Sequence, residues 1–277
     1  MPLICGTYIS VSLLKVPDLS LESAYTCGAL FASALLPMLP LPLPLQLIVL
    51  ICVSLASGAL VGLLSSSCTM FLRIPHLLSS IITIGIYHGL YQLLVGSYVA
   101  TTSYANPLAC LQLSPYYPEM GCLLFMQGIL LVVLYMIFKT QLGYCFVTYG
   151  NNASFFDHFS ISKRYVFIMG ICIANSLAGL SGYLFAQSTG FAEMNMGIGK
   201  VLLCITALIL SKTIIPIKKP ISLMVPIYAG LLFFALQQLL LLIGFNLRYF
   251  TMIQALVVLV IMAFRQRNAQ PSDSLGV

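Results

Sequence analysis

The fold class this sequence predicts is all-α, a polytopic transmembrane helix bundle of about nine membrane segments, and three observations carry it. Hydrophobic residues make up 60% of the 277 and charged residues only 6%. Soluble domains carry about a quarter charged and under half apolar residues, so the polar surface here is too small to coat a water-soluble globule. The apolar residues also come in runs near 20 long, the length whose rise of about 1.5 Å per residue crosses about 30 Å of hydrocarbon. Finally, the twelve Lys+Arg, against six Asp+Glu, stand singly between those runs and mostly on one side. The same figures exclude a disordered chain, a secreted disulfide scaffold and a nucleic-acid binder, which needs clustered basic residues with interleaved aromatics.

In chain order, two short apolar runs at about 3–14 and 23–36 are split by the polar patch Lys15 to Ser23. Short, interrupted segments of this kind occur near the pathway in transporter folds. A signal peptide is the alternative for residues 1–14, but no basic stretch precedes the apolar one. Longer runs follow at about 45–64, 77–99, 120–138, 165–187, 198–215, 220–244 and 250–264. If each run crosses once, Arg73, Lys139, Lys163, Arg164, Lys212, Lys218, Lys219, Arg265 and Arg267 share one side. Lys200 and Arg248 fall on the other, and Lys15 is ambiguous. By the positive-inside rule the loop at about 140–164 and the C-terminus are cytoplasmic. Residues 1–264 then form the transmembrane domain and 265–277 a short tail.

The nine cysteines form no CxxC and mostly sit in apolar runs, where Cys acts as a small hydrophobe. Cys110 and Cys122 flank a polar loop and would pair only if that loop is extracytoplasmic. No His, Cys or carboxylate set stands at ligand spacing, so no metal site is expected. Nor is there a GxxxxGK[ST] loop, a GxSxG or an HExxH, which disfavours a membrane enzyme and means the chain does not hydrolyse ATP itself.

Carboxylates at mid-bilayer cost about 2.5–3.5 kcal/mol on insertion scales, so they face water, a partner or a pathway. Asp18 and Glu22 lie four apart, on one face if helical, and read either as cavity lining or as a solvated turn beside Lys15. Tyr87, His88 and Gln92 share neighbouring turns of one helix and are candidate pathway residues. His88 alone reads more simply as a structural histidine. Gly58/Gly62 and Gly85/Gly89 are GxxxG pairs that let helices approach closely. SGALVGLL from Ser57 and LAGLSGYL from Leu177 lie in oppositely directed helices, a short inverted-repeat signal. In the 140–164 stretch, Gly150, Asn151 and Asn152 predict a turn with an N-cap. Phe155, Phe156 and Phe159 then fall on one side of a short helix, which suits a partner's groove and the bilayer surface equally.

Four stretches resemble ABC-transporter permeases of the branched-chain amino-acid and ribose type, closest to those paired with tryptophan/tyrosine-type binding lipoproteins. They are LKVPDLSLESAYTCGA from Leu14, LRIPHLLSSIITIGIYHGLYQLLVGS from Leu72, TQLGYCFVTYGNNASFFDHFSIS from Thr140 and SLAGLSGYLFAQSTGFAEMNMGIG from Ser176. The last is the most specific, and NLRYFTMIQALVVL from Asn246 looks like the family's last helix start. The chain departs from the family at Ser211-Lys212, where Gly-Glu is usual, at Ser160, where the loop closes on Gly, and in its short first helix.

The resemblance implies a membrane-embedded permease subunit of an importer in the bacterial cytoplasmic (inner) membrane. It implies a separate ATPase subunit that binds the ATP, an extracytoplasmic binding protein, a pair of permease copies and an amino-acid-like solute. No cofactor is expected in this chain. Gly150, Asn152, Phe155, Phe156 and Phe159 take the role of coupling to the ATPase. Asp18, Glu22, Asn175, Gln187 and Glu193 fall at family polar positions near the pathway. The rival reading is an ion-coupled secondary transporter using Asp18, Glu22 and Glu193. A scaffold protein without transport is a third.

Overall fold

The computed structural model describes residues 1–38, 42–96, 98–100, 118–158, 162–214, 222–242 and the single positions 252, 256 and 259. Helix α1 (Pro2–Thr7) continues as a π-helical turn to Leu13, and α2 covers Ser20–Leu35. Next come α3 (Leu43–Leu72), α4 (His76–Leu94), α5 (Pro118–Lys139) and α6 (Gln141–Asn151). A 3-10 turn at Ala153–His158 leads to α7 (Lys163–Thr189), then α8 (Lys200–Ile214) and α9 (Met224–Leu242). The molecule is an all-α bundle, as its composition requires. It also has one element the sequence did not signal: two three-residue strands, β1 (Tyr98–Ala100) and β2 (Phe191–Glu193), pair antiparallel with Tyr98 opposite Glu193.

The ends of the long helices follow local chemistry. α3 opens on a proline in its first turn, where the missing N–H has no intrahelical partner to lose. It runs past the apolar stretch because Ser66 and Thr69 return their hydroxyls to the carbonyls of Gly62 (2.6 Å) and Ser65 (3.0 Å). α7 stops at Gly190, whose φ of 79° suits glycine and whose N–H caps Ala186 at 2.9 Å.

At the centre lies α7, 61% buried over its most apolar stretch, against 28% for α3 and 22% for α4. It packs between α2 and α3, and small residues make that possible. A Cβ at Gly28 would overlap the backbone of Gly179, one at Gly182 the carbonyl of Tyr25, and one at Gly58 the carbonyl of Asn175. The look-alike stretches at 57 and 177 are thus two sides of close contacts between α3 and α7. By contrast, Gly85 and Gly89 have nothing within 4 Å and lie on the outer face of α4 with exposed Ile82 and Ile86.

Three described helices, α3, α4 and α7, are long and apolar enough to cross a membrane, and a fourth crossing results if α5 and α6 count as one broken span. α1 with its π turn is only 12 residues long and α8 only 15, below the length needed to cross perpendicularly. The segment at 250–264 (apart from three single positions), the tail 265–277, Phe159 and Cys110 lie outside the described residues.

Candidate coupling and translocation site

Within the 140–164 stretch, the described residues 141–151 and 153–158 are helical rather than a turn-centred loop. α5 bends by 70° into α6 at Thr140, which caps the bend through Oγ1 to the Ile137 carbonyl at 2.6 Å. α6 is amphipathic: Gly143 and Phe146 are buried, whereas Leu142 and Tyr144 are exposed. Gly150 does not form the expected turn. It lies inside α6 and abuts the Leu13 carbonyl, so that any Cβ would overlap that oxygen. Asn152 ends α6 and begins the next turn, its Oδ1 accepting from Ser154 N–H (3.2 Å) and Ser154 Oγ (2.5 Å). Nor do the phenylalanines share a side: Phe155 is 45% exposed and Phe156 only 5%. Adjacent residues diverge by about a third of a circle in this 3-10 turn, much as in an α-helix, so the two side chains leave in different directions and Phe156 joins the core. A cleft of about 790 Å3 lies between α6 and the start of α7, lined by Leu142, Cys145, Tyr165 and Val166 among others.

Lys15, ambiguous in sequence, lies at this same end, its Nζ donating to Asn151 Oδ1 at 2.7 Å. Its φ of 56° is left-handed. Three residues on, Asp18 is fully buried and forms the hub of a polar network. Its Oδ1 accepts from the N–H (2.9 Å) and Oγ (2.6 Å) of Ser20, and its Oδ2 from Asn175 Nδ2 at 2.9 Å. His76 Nε2 stands 3.4 Å from Oδ1, close to the carboxylate but not in an aligned hydrogen bond. Thr69 Oγ1 holds the other ring nitrogen at 2.9 Å, and the Phe167 ring meets the imidazole edge-on at 5.2 Å. Asp18 therefore joins the α1–α2 connector to α2, α4 and, through Asn175, α7. The sequence reading missed His76 and Thr69, because the partner carboxylate is 58 positions from the histidine and no short motif links them.

The other candidates separate from this hub. Glu22 sits one turn along α2, and its Oε1 accepts from the Gly199 N–H at 3.0 Å just before α8. A carboxylate at a helix N-terminus satisfies orphan amides and complements the helix dipole. Gln187 is buried in α7, Glu193 is exposed in β2, Tyr87 is half-buried against Tyr91, and His88 and Gln92 are exposed on α4. A further cavity of about 710 Å3 between α3, α5 and α7 is walled by apolar side chains such as Ile51, Phe125, Ile129 and Leu177 and holds none of the pathway candidates. Among the described residues no group of three His, Cys, Asp or Glu is placed to hold a metal.

Comparisons with known proteins agree with this architecture. The "Tyrosine transport system permease protein" of Clostridioides difficile is 28% identical over 210 residues, 76% of this chain and 68% of that one. "Uncharacterized protein RP368" of Rickettsia prowazekii is 26% identical over 77% of this chain and 73% of its own. The "Autoinducer 2 import system permease protein LsrC" of Salmonella typhimurium is 25% identical over 57% of this chain and 45% of its own. No solved structure matches. The family described as "Branched-chain amino acid transport system / permease component" matches residues 5–262, nearly the full length, and this chain, a multi-pass membrane protein, belongs to it.

Proposed function

We propose that the chain is the membrane subunit of an ABC importer for an amino-acid-like solute, with α6 and the turn after it docking on a separate ATPase. The observation that carries this reading is α6 itself: an 11-residue amphipathic helix set at 70° to α5, beside Lys139, Lys163 and Arg164, with Tyr144 and Phe155 exposed. Exposed aromatic side chains beside a membrane edge suit a partner groove, and the adjoining lysines and arginine support a cytosolic position at a bacterial inner membrane. Movement of the docked ATPase then biases the bundle between inward- and outward-open states. A binding protein on the far side delivers the solute. The relatives' printed names support an import role, and tyrosine is the first cargo to try. Support for pairing two copies comes from the outer face of α4, where Gly85, Gly89, His88 and Gln92 are open. Asp18, Asn175 and Gln187, buried inside one copy, suit bundle conformation better than direct contact with cargo.

Against the ion-coupled alternative stands the fact that Asp18 and Glu22 already hold partners, one in the buried network and the other at the start of α8. The test is co-purification of the ATPase with the full chain. Phe155→Asp is expected to abolish association while the bundle still inserts. Association that survives unchanged rejects α6 and its turn as the docking element.

A further inference from the structure

The connector between α1 and α2 touches both the α6 foot and the membrane core. At one end, the Leu13 carbonyl seats against Gly150, and Lys15 donates to Asn151 at 2.7 Å. At the other, Asp18 is anchored to Ser20, Asn175 and His76, hence to α2, α7 and the first residue of α4. Between them Leu14 is buried against Gly170 of α7. The contact at Gly150 is steric, backbone against backbone, so a push on α6 cannot be absorbed there by a side chain. The Asp18 end is a buried carboxylate with its oxygens satisfied, which cannot slide without losing those bonds.

Backbone conformation marks the same place. Among the described residues, the non-glycine residues with positive φ are Lys15 (56°) and Arg73 (57°). They sit in the two connectors that meet at the Asp18–His76 pair. Residues held in such sparsely populated conformations persist only where the surroundings over-determine them, and they cluster at switch regions. The preceding π-helical turn, Tyr8–Leu13, is another local departure of the kind found at functional sites.

We propose that residues 14–19 are a mechanical relay between α6 and the core, with Lys15 and Asp18 as its anchors and His76 as the positioning residue that holds the core end. The relay deepens the importer reading and rests on it for its purpose: displacement of α6 by an ATPase is delivered to the starts of α2 and α4 and the middle of α7. A relay is a coupling free energy and is reciprocal, so loosening either end must be felt at the other.

The experiment is amide hydrogen exchange on the full chain in lipid nanodiscs, read by mass spectrometry. His76→Gln keeps a polar side chain facing Thr69 and removes the imidazole that stands 3.4 Å from Asp18. It is expected to speed exchange in 141–151 by about 2- to 30-fold, the span of couplings measured along packed networks. Lys15→Met, at an exposed position that does not threaten folding, is expected to speed exchange at 76–80 in return. Ser211→Ala, which removes a buried hydrogen bond to the Val225 carbonyl between α8 and α9, is expected to leave 141–151 unchanged. The relay is overturned if His76→Gln loosens only its own surroundings, if Lys15→Met leaves 76–80 unmoved, or if Ser211→Ala loosens α6 equally. No ATPase enters this measurement, so its failure counts against the relay alone, and loss of the docking reading shows only in the co-purification.

Discussion

Replacing Asp18 by alanine removes the acceptor for three hydrogen bonds: two from Ser20, at 2.9 and 2.6 Å, and one from Asn175 at 2.9 Å. Bonds to a charged group are worth about 1.5–3 kcal/mol each. Against them stands the several kcal/mol spent to keep a carboxylate out of water, which the substitution refunds. His76 also loses the carboxylate 3.4 Å from its Nε2. The balance for removing one member of a buried pair is about 3–5 kcal/mol of destabilisation. At about 2–4 °C per kcal/mol for a chain of this size, the unfolding midpoint falls by roughly 10 °C. Asp18→Asn keeps one acceptor but sets an amide N–H2 against Asn175 Nδ2, for an intermediate loss. The exchange Asp18→Asn with Asn175→Asp restores a donor–acceptor pair and recovers part of that loss, a non-additive result expected of residues in contact. The chain has no tryptophan, but Cys5, Cys27 and Cys204 are buried free thiols. A thiol-reactive dye therefore reports unfolding of the purified chain in detergent. A midpoint for Asp18→Ala within about 2 °C of the unsubstituted chain would refute the network as a structural hub.

Other outcomes follow from individual contacts. Gly182→Ala drives a methyl into the Tyr25 carbonyl and is expected to cost about 1–3 kcal/mol, whereas Gly128→Ala in α5 meets open space and does not lower the same thermal midpoint. Glu22→Ala removes the acceptor for Gly199 N–H, costing about 1 kcal/mol and speeding amide exchange at 199–203. Phe156→Asp buries a charge in the core and prevents stable folding, while Phe155→Asp leaves the midpoint near that of the unsubstituted chain. Comparing the yields of folded protein in detergent separates those two.

Apolar run length placed the long described helices but not α6, which lies in a stretch too polar to read as a span. The run at 165–187 became Lys163–Thr189, and the one at 45–64 became Leu43–Leu72, longer because hydroxyls that lower hydropathy satisfy themselves on their own helix. GxxxG spacing identified close packing at Gly58 and Gly62 but also flagged Gly85 and Gly89, which face outward, because spacing carries no information about which face of a helix is covered. Gly150 was misread for a related reason: a glycine next to asparagines signals a turn locally, whereas here it makes room for the Leu13 carbonyl, a contact 137 positions away. Asp18 was legible as an expensive residue in an apolar setting. Its partners were not, since His76 and Asn175 reach it only through tertiary packing. Glu22 reads on the same helical face as Asp18 in a regular helix, yet Asp18 precedes α2 and the two carboxylates serve different neighbours.

Reconstitution of the full chain in liposomes supplied with the solute-binding protein, with and without an ATPase subunit and ATP, measures whether this bundle depends on borrowed energy. The expected result is a stable complex of permease with ATPase whose labelled-tyrosine uptake stops when either the ATPase or ATP is withheld. Uptake by the chain alone on a sodium or proton gradient, with no ATPase bound, would contradict it.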